Sequence, residues 1–146
     1  MRNTDFVVRF AGEGGGGLVT SAELLAQVTS QVGYHVKTFV TFPSQIMGGP
    51  TFAQARISTS PVLSYGDQLD VLVALDREAY NTHQSEVRDG GGIIYNAEDF
   101  QLEEDGKSFG MRIDELAKST GNPRAANMVM LGAIAYLVNM KEKYIQ

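Results

Sequence analysis

The chain of 146 residues contains no cysteine and no tryptophan, and only four prolines and two histidines. Without cysteine it can form no disulfide framework, no thiolate nucleophile and no thiolate cage for zinc or an iron–sulfur cluster. Any electron-carrying cluster that works with it must sit on another chain or on another part of a larger one. Positive charge is scarce as well. Twelve Lys and Arg stand against 17 Asp and Glu, a formal net charge of −5, and a field of that sign makes nucleic acid and anionic membrane surfaces poor partners. No apolar run approaches the ~20 residues that cross a bilayer. The longest, residues 128–138, is expected to be buried in protein. The N-terminus runs Met1-Arg2-Asn3-Thr4-Asp5, with an acid and no apolar stretch of signal-peptide length, so a cytoplasmic location is the expectation.

At 43% hydrophobic residues, a chain of this length buries about two-thirds of the surface its unfolded form exposes, and residues 1–146 read as one domain. Phe6-Val7-Val8-Arg9-Phe10-Ala11 is a β-rich run that ends on the glycines of residues 12–17. Thr20 or Ser21 then opens an amphipathic helix with Leu24, Leu25, Val28 and Val32 at helical spacing, stopped by Gly33. Residues 35–42 and 52–58 read as strands around a Gly/Pro loop at 44–50. Leu69-Asp70-Val71-Leu72-Val73-Ala74-Leu75 is nearly all apolar, as in a strand covered on both faces. Residues 77–88 look helical, Ile93-Ile94-Tyr95 forms a short strand after three glycines, and the acids of residues 98–105 mark a solvated loop or hairpin. A last strand spans residues 109–113 and leads into a short helix at 114–120. Asn122-Pro123 pairs a capping side chain with proline at the first helical position of a final helix running to about residue 143. Alternating strands and helices predict a Rossmann-like three-layer α/β/α sandwich with a largely parallel central sheet.

Gly12-Glu13-Gly14-Gly15-Gly16-Gly17 follows a strand and opens a helix, so it satisfies the G-x-G-x-x-G pattern where backbone N–H groups can cradle a phosphate. A dinucleotide site also needs an acid about 20 residues on to hold the ribose hydroxyls, or an Arg there for a 2′-phosphate. Neither is present, because no Asp or Glu occurs between Glu23 and Asp67 and the second strand ends in Phe42-Pro43-Ser44-Gln45. The glycines are equally readable as a tight turn that packs a helix close to its strand, or as bare backbone that another chain can approach.

Read end to end, Gly12-x-Gly14-Gly15-x-Gly17 with Thr20, Phe42-Pro43 through Gly48-Gly49-Pro50, Arg56-Ile57-Ser58, Asp70-Val71-Leu72-Val73, Gly91-Gly92-Ile93-Ile94-Tyr95-Asn96 and Gly121-Asn122-x-Arg124-x-x-Asn127-Met128-x-Met130-Leu131-Gly132 follow one another as in a known family. In order and approximate spacing they resemble the γ module of 2-oxoacid:ferredoxin oxidoreductases. The resemblance implies a non-autonomous component of an enzyme that converts a 2-oxoacid to acyl-CoA and passes electrons to ferredoxin. It implies that α and β partners hold thiamine diphosphate, Mg²⁺ and the iron–sulfur clusters, that CoA is the acyl acceptor, and that this chain itself carries no cofactor and no catalytic residue. The γ module would cover the active site and help accommodate CoA. Gly12, Gly14, Gly15, Gly17, Thr20, Gly48, Gly49 and Asn127 are the residues that the resemblance places toward the cofactor region. Three departures accompany it: Gly16 stands where the family usually has Gln, Gln45 and Met47 stand where an acid and a base are common, and the sequence ends at Gln146 where many γ subunits continue. The last favours a module fused to, or cut from, an α subunit. 2-Oxoglutarate is the mildly preferred substrate.

Other chemistries find little support. His35 on a strand and His83 on an exposed helix have no third ligand at metal spacing. Ser21, Ser44 and Ser58 lie in no G-x-S-x-G elbow. Asn127 is as suited to local backbone groups as to a ligand. The rival to the oxidoreductase component is a free-standing phosphate-binding or regulatory module. The component reading predicts an apolar surface around Met47 and from Met128 to Tyr136, whereas the rival predicts a closed monomer with one polar cleft.

Overall fold

The computed structural model describes residues 4–13, 17–41, 50–66, 68–122 and 125–144. In chain order the elements are β1 (Asp5–Glu13), α1 (Leu18–Gln31), β2 (His35–Thr41), β3 (Pro50–Ser58), β4 (Leu69–Ala74), α2 (Arg77–His83), β5 (Val87–Asn96), β6 (Ser108–Met111), α3 (Ile113–Ser119) and α4 (Ala126–Tyr144), with a 3₁₀ turn at Gln84–Glu86. One six-stranded sheet has the order β2-β3-β1-β4-β5-β6. β1, β4, β5 and β6 are mutually parallel, and β3 runs antiparallel to both β1 and β2. The sheet is therefore mixed but mostly parallel, with an antiparallel β2–β3 pair on one flank. The β1–α1–β2 crossover leaves one strand's width open, and β3 fills it.

Every residue of β4 is buried, as its apolar run requires of a central strand covered on both faces. Side chains alternate across the sheet. Val8, Phe10, Ala53, Val71, Val73 and Ile94 face one way, onto Leu18 and Ala22 of α1, Ile113 of α3 and Met130 and Ile134 of α4. Val7, Ala11, Leu72, Ala74, Ile93 and Tyr95 face the other way, onto Ala79 of α2 and Phe100. Helices on both faces make the three layers. On α1 the inward face is Leu18, Ser21, Ala22 and Leu25, while Val28 and Val32 are 58% and 63% exposed. The apolar spacing found in the sequence is thus only half used. Gly33 ends α1 as expected: with φ 100°, its N–H donates to Ser30 O and that of Tyr34 to Thr29 O, the paired closure of a Schellman motif.

Two sequence expectations about the strands need correction. Pro50 opens β3 and is not part of the preceding loop, since a strand's first residue tolerates the missing N–H. The helix expected over 77–88 stops at His83, and Val87, Arg88 and the three glycines that follow belong to β5. A Cβ at Gly91 would lie 2.9 Å from Asp70 O and 2.7 Å from Val87 Cγ1, so glycine admits the β4 backbone at an irregularity in the β4/β5 ladder. Of the loop or hairpin expected for the acidic segment after Asn96, the structure has the loop, a crossover between the parallel strands β5 and β6.

Candidate functional site at the carboxyl ends of β1 and β4

β1 and β4 are adjacent and parallel, and the helices that follow them lie on opposite faces of the sheet. The crevice outside the carboxyl ends of such a pair is where open α/β sheets bind ligands. Asp76, directly after β4, ties the crevice together. Its Oδ1 accepts from Ala79 N at 2.8 Å, capping α2, and its Oδ2 accepts from Glu13 N at 3.0 Å. Leu75 N donates to Ala11 O at 2.9 Å. These bonds draw the β4–α2 turn against the end of β1, so a Cβ on Gly12 would come within 3.0 Å of Leu75 Cβ. Gly12 thus serves close approach between two backbones.

On the α1 side of the sheet, Gly17 is the N-cap of α1 in a left-handed conformation, φ 76°, and no side chain caps the helix. The helix therefore starts at Leu18, not at Thr20 or Ser21. Any Cβ on Gly17 would collide with the Asn127 side chain. Ser21 Oγ lies 3.0 Å from Gly17 O and 3.2 Å from Asn127 Oδ1, so its hydrogen has an acceptor on either side. Gly17 and Asn127, 110 positions apart in the chain, meet at the start of α1, and Thr20 lies exposed on the first turn beside them. Gly14, Gly15, Gly48, Gly49 and Met47 fall outside the described residues.

On the opposite face the crevice opens into a cleft of about 350 Å³. Among the described residues, Gly12, Thr51 and Ala79 line it, together with four carboxylates, Glu13, Asp76, Glu78 and Asp99, and a single Arg, Arg77. Arg77 is partly engaged elsewhere, donating to Gln101 O at 3.0 Å and lying over the Phe100 ring. The cleft is consequently electronegative.

His83, also in the cleft wall, is only 8% exposed, which corrects its placement on an exposed helix face. Its ring is held by a buried charge cluster that the sequence did not announce. Arg9, in the middle of β1 and itself 7% exposed, donates through Nε and Nη2 to Gln54 Oε1 at 2.9 and 2.7 Å. Its Nη1 reaches Glu86 Oε2 at 2.6 Å and His83 Nδ1 at 2.9 Å, and its guanidinium lies 4.2 Å over the Phe52 ring. Burial, reinforced by the Arg9 charge, holds His83 below its ordinary pKa even though Glu86 pulls the other way. Burial alone would raise the carboxyl of Glu86, but hydrogen bonds and charge from Arg9 and His83 carry it below the usual range. Only the alternation of β1 hinted at this cluster, since Arg9 falls on a strand whose neighbours are all apolar.

Among the described residues, no group of three His, Cys, Asp or Glu side chains could hold a metal ion, and no helix is long and apolar enough to cross a membrane.

The family model described as pyruvate ferredoxin/flavodoxin oxidoreductase matches residues 7–146. The chain belongs to that family. Within the family it is 33% identical over 133 residues to the ketoisovalerate oxidoreductase subunit VorA of Methanothermobacter marburgensis, covering 89% of this chain and 28% of VorA. It is 34% identical over 133 residues to the pyruvate synthase subunit PorC of Methanothermobacter thermautotrophicus, covering 88% of this chain and 73% of PorC. Two solved oxidoreductase structures share its fold. The 2-oxoglutarate:ferredoxin oxidoreductase of Magnetococcus marinus, determined with 2-oxoglutarate, coenzyme A and succinyl-CoA bound, superposes with a TM-score of 0.79 at 34% identity, over 90% of this chain and 24% of that one. The γ subunit of a keto/oxoacid ferredoxin oxidoreductase from Geobacter sulfurreducens gives 0.78 at 26% identity, over 93% and 77%. The chain thus spans about a quarter of VorA and of the Magnetococcus chain, and most of the separate subunits.

Proposed function

We propose that this chain is the γ component of a thiamine-diphosphate-dependent 2-oxoacid:ferredoxin oxidoreductase, acting with α and β partners in the cytoplasm as one domain over residues 1–146. The observation that carries this reading is its likeness, over nearly its whole length, both to a separate γ subunit and to part of an enzyme solved with a 2-oxoacid and CoA bound. The reaction joins CoA to the acyl group left when a 2-oxoacid loses CO₂, and two electrons pass through clusters to ferredoxin. The chain has no cysteine, so its residues do not fit the clusters, which would sit on other chains or on another part of a longer one. Thiamine diphosphate and Mg²⁺, held by the partners, supply the carbon nucleophile and its anchoring.

The contribution of this chain is cover and positioning. Gly12 and Gly17 bracket the glycine segment at the sheet crevice, where backbone N–H groups suit an anion. The carboxylates of the cleft would repel the phosphates of CoA, so we assign CoA to the glycine side, with Gly14, Gly15, Gly48 and Gly49 as further backbone donors and Thr20 and Asn127 beside them. Met128 and Tyr136, 63% and 67% exposed on α4 and eight positions apart on one helical face, suit docking on a partner.

The test is anaerobic co-purification of the tagged native chain, with mass spectrometry of its partners and methyl viologen reduction in the presence of CoA and a panel of 2-oxoacids. Thiamine-binding and cluster-bearing partners with CoA-dependent reduction are expected, and the panel names the substrate. Recovery of a lone, inactive chain sinks the reading in favour of a free-standing binding module.

A further inference from the structure

We propose that the electronegative cleft between β1, α2 and Asp99 is a docking slot for a lysine or arginine side chain on an extended segment of a partner chain in the same oxidoreductase; this rests on the γ reading above. Three observations converge on it. The first is size: about 350 Å³ lies at the low end of the ~300–1,000 Å³ of small-molecule sites, which suits one long side chain and its flanking backbone better than a whole cofactor.

The second is charge left unspent. Asp76 uses both oxygens on backbone N–H groups, whereas Glu13, Glu78 and Asp99 take part in no ion pair among the described residues. An incoming cation would find three carboxylates to choose from, and an anion would be repelled. The third is a polar atom in the wall. His83 Nδ1 lies 2.9 Å from Arg9 Nη1, which only donates, and 3.2 Å from Glu86 Oε2, which only accepts, so Nδ1 is engaged in either tautomer. In either tautomer Nε2 has no hydrogen-bond partner among the described residues, although His83 is only 8% exposed, and among those residues no fully buried side-chain nitrogen or oxygen is left without a partner. Nε2 must therefore reach solvent, and the cleft is the space that His83 lines. A basic side chain with its own peptide group beside it matches both features at once: the cation meets the carboxylates, and the peptide C=O or N–H meets Nε2.

The experiment measures binding of this chain to its own purified α and β partners by biolayer interferometry at 50 mM and 500 mM NaCl. The Glu78→Lys/Asp99→Lys double variant, both positions exposed, is compared with Glu103→Lys/Glu104→Lys, which changes net charge equally on the acidic loop outside the cleft. The cleft variant is expected to weaken binding at low salt on the order of tenfold more than the control, with the difference shrinking at high salt. His83→Gln, which keeps a polar group toward Arg9 and Glu86 but removes Nε2 from the cleft wall, is expected to weaken binding at both salts. If wild type binds and the cleft pair behaves like the loop pair, the slot is overturned and the γ reading stands. If wild type finds no partner, both fall.

Discussion

His83 makes the domain's stability depend on pH. Its pKa is lowered in the folded chain, chiefly by burial and then by the Arg9 charge, so the unfolded chain binds that proton more tightly. Stability from this site is then complete above the ordinary histidine value of ~6.5 and declines as pH falls from there toward the lower folded value. Glu86 and Asp5, whose pKa values are also lowered, contribute in a more acidic window. Their stabilisation is present above the ordinary carboxylate range and is lost as pH falls through their folded values. Urea denaturation midpoints measured from pH 7.5 to 5.5 are therefore expected to fall, and His83→Gln is expected to flatten that decline while sparing the acid limb below about pH 4.5. An unchanged slope in the variant would place the titration elsewhere. Gly17 concentrates a second constraint in one residue: Ala there must hold φ near 76° and also collide with Asn127. Gly17→Ala is expected to cost about 2 kcal/mol or more. Adding Asn127→Ala should return part of that loss, a non-additivity that a double-mutant cycle in urea reads directly.

At the scale of elements, the β5 glycines connect sequence to sheet geometry. Gly91→Ala is expected to lower the melting temperature by several degrees, because the new methyl would press on backbone oxygens of both β4 and β5, and neither is the free end of a flexible side chain. The same change at Gly106, where nothing lies within 4 Å but φ is 76°, should cost only the backbone strain of about 1–2 kcal/mol. Equal losses at the two positions would show that close packing of β4 on β5 contributes nothing. These glycines also mark where the sequence misled. Residues 77–88 carry helix-compatible side chains throughout, and what ends the helix at His83 is tertiary: the burial of His83 against Arg9 and the pairing of Val87 with Leu69. Where burial and local pattern agree, the sequence was sufficient. The apolar run of β4 and the Gly33 stop were both legible, since each is set by near neighbours. The cleft was not, because Gly12, Thr51, Asp76, His83 and Asp99 become neighbours only when β3 inserts beside β1 and α2 folds back over it. The meeting of Gly17 and Asn127 was not legible either, for no spacing rule links positions 110 residues apart.

For the whole molecule, the two faces of the crevice differ in chemistry. One side offers glycine backbone, Ser21 and Asn127 beneath α1 and α4; the other offers carboxylates around a buried imidazole. A surface that must meet a large partner also needs apolar area, and α4 supplies it in Met128 and Tyr136, with Leu116 of α3 a further exposed apolar side chain at 43%. Each exposed side chain is ordinary on its own, but Met128 and Tyr136 lie two helical turns apart on one face, and the surface of Gly132 between them is open, with no atom near its missing Cβ. Polar substitution there separates docking from folding. Met128→Glu/Tyr136→Glu removes no buried contact, so its unfolding free energy should stay within about 0.5 kcal/mol per site of the parent. Assembly with the α and β partners, followed by size-exclusion chromatography, should nevertheless be lost, because two carboxylates would be desolvated without partners. Retained assembly with unchanged stability would remove α4 from the interface and leave the crevice as the docking surface. Lost assembly together with unchanged CoA-independent folding would make α4 the apolar anchor and the acidic cleft its charged counterpart on the opposite side of the sheet, so that the partner grips the domain from both faces.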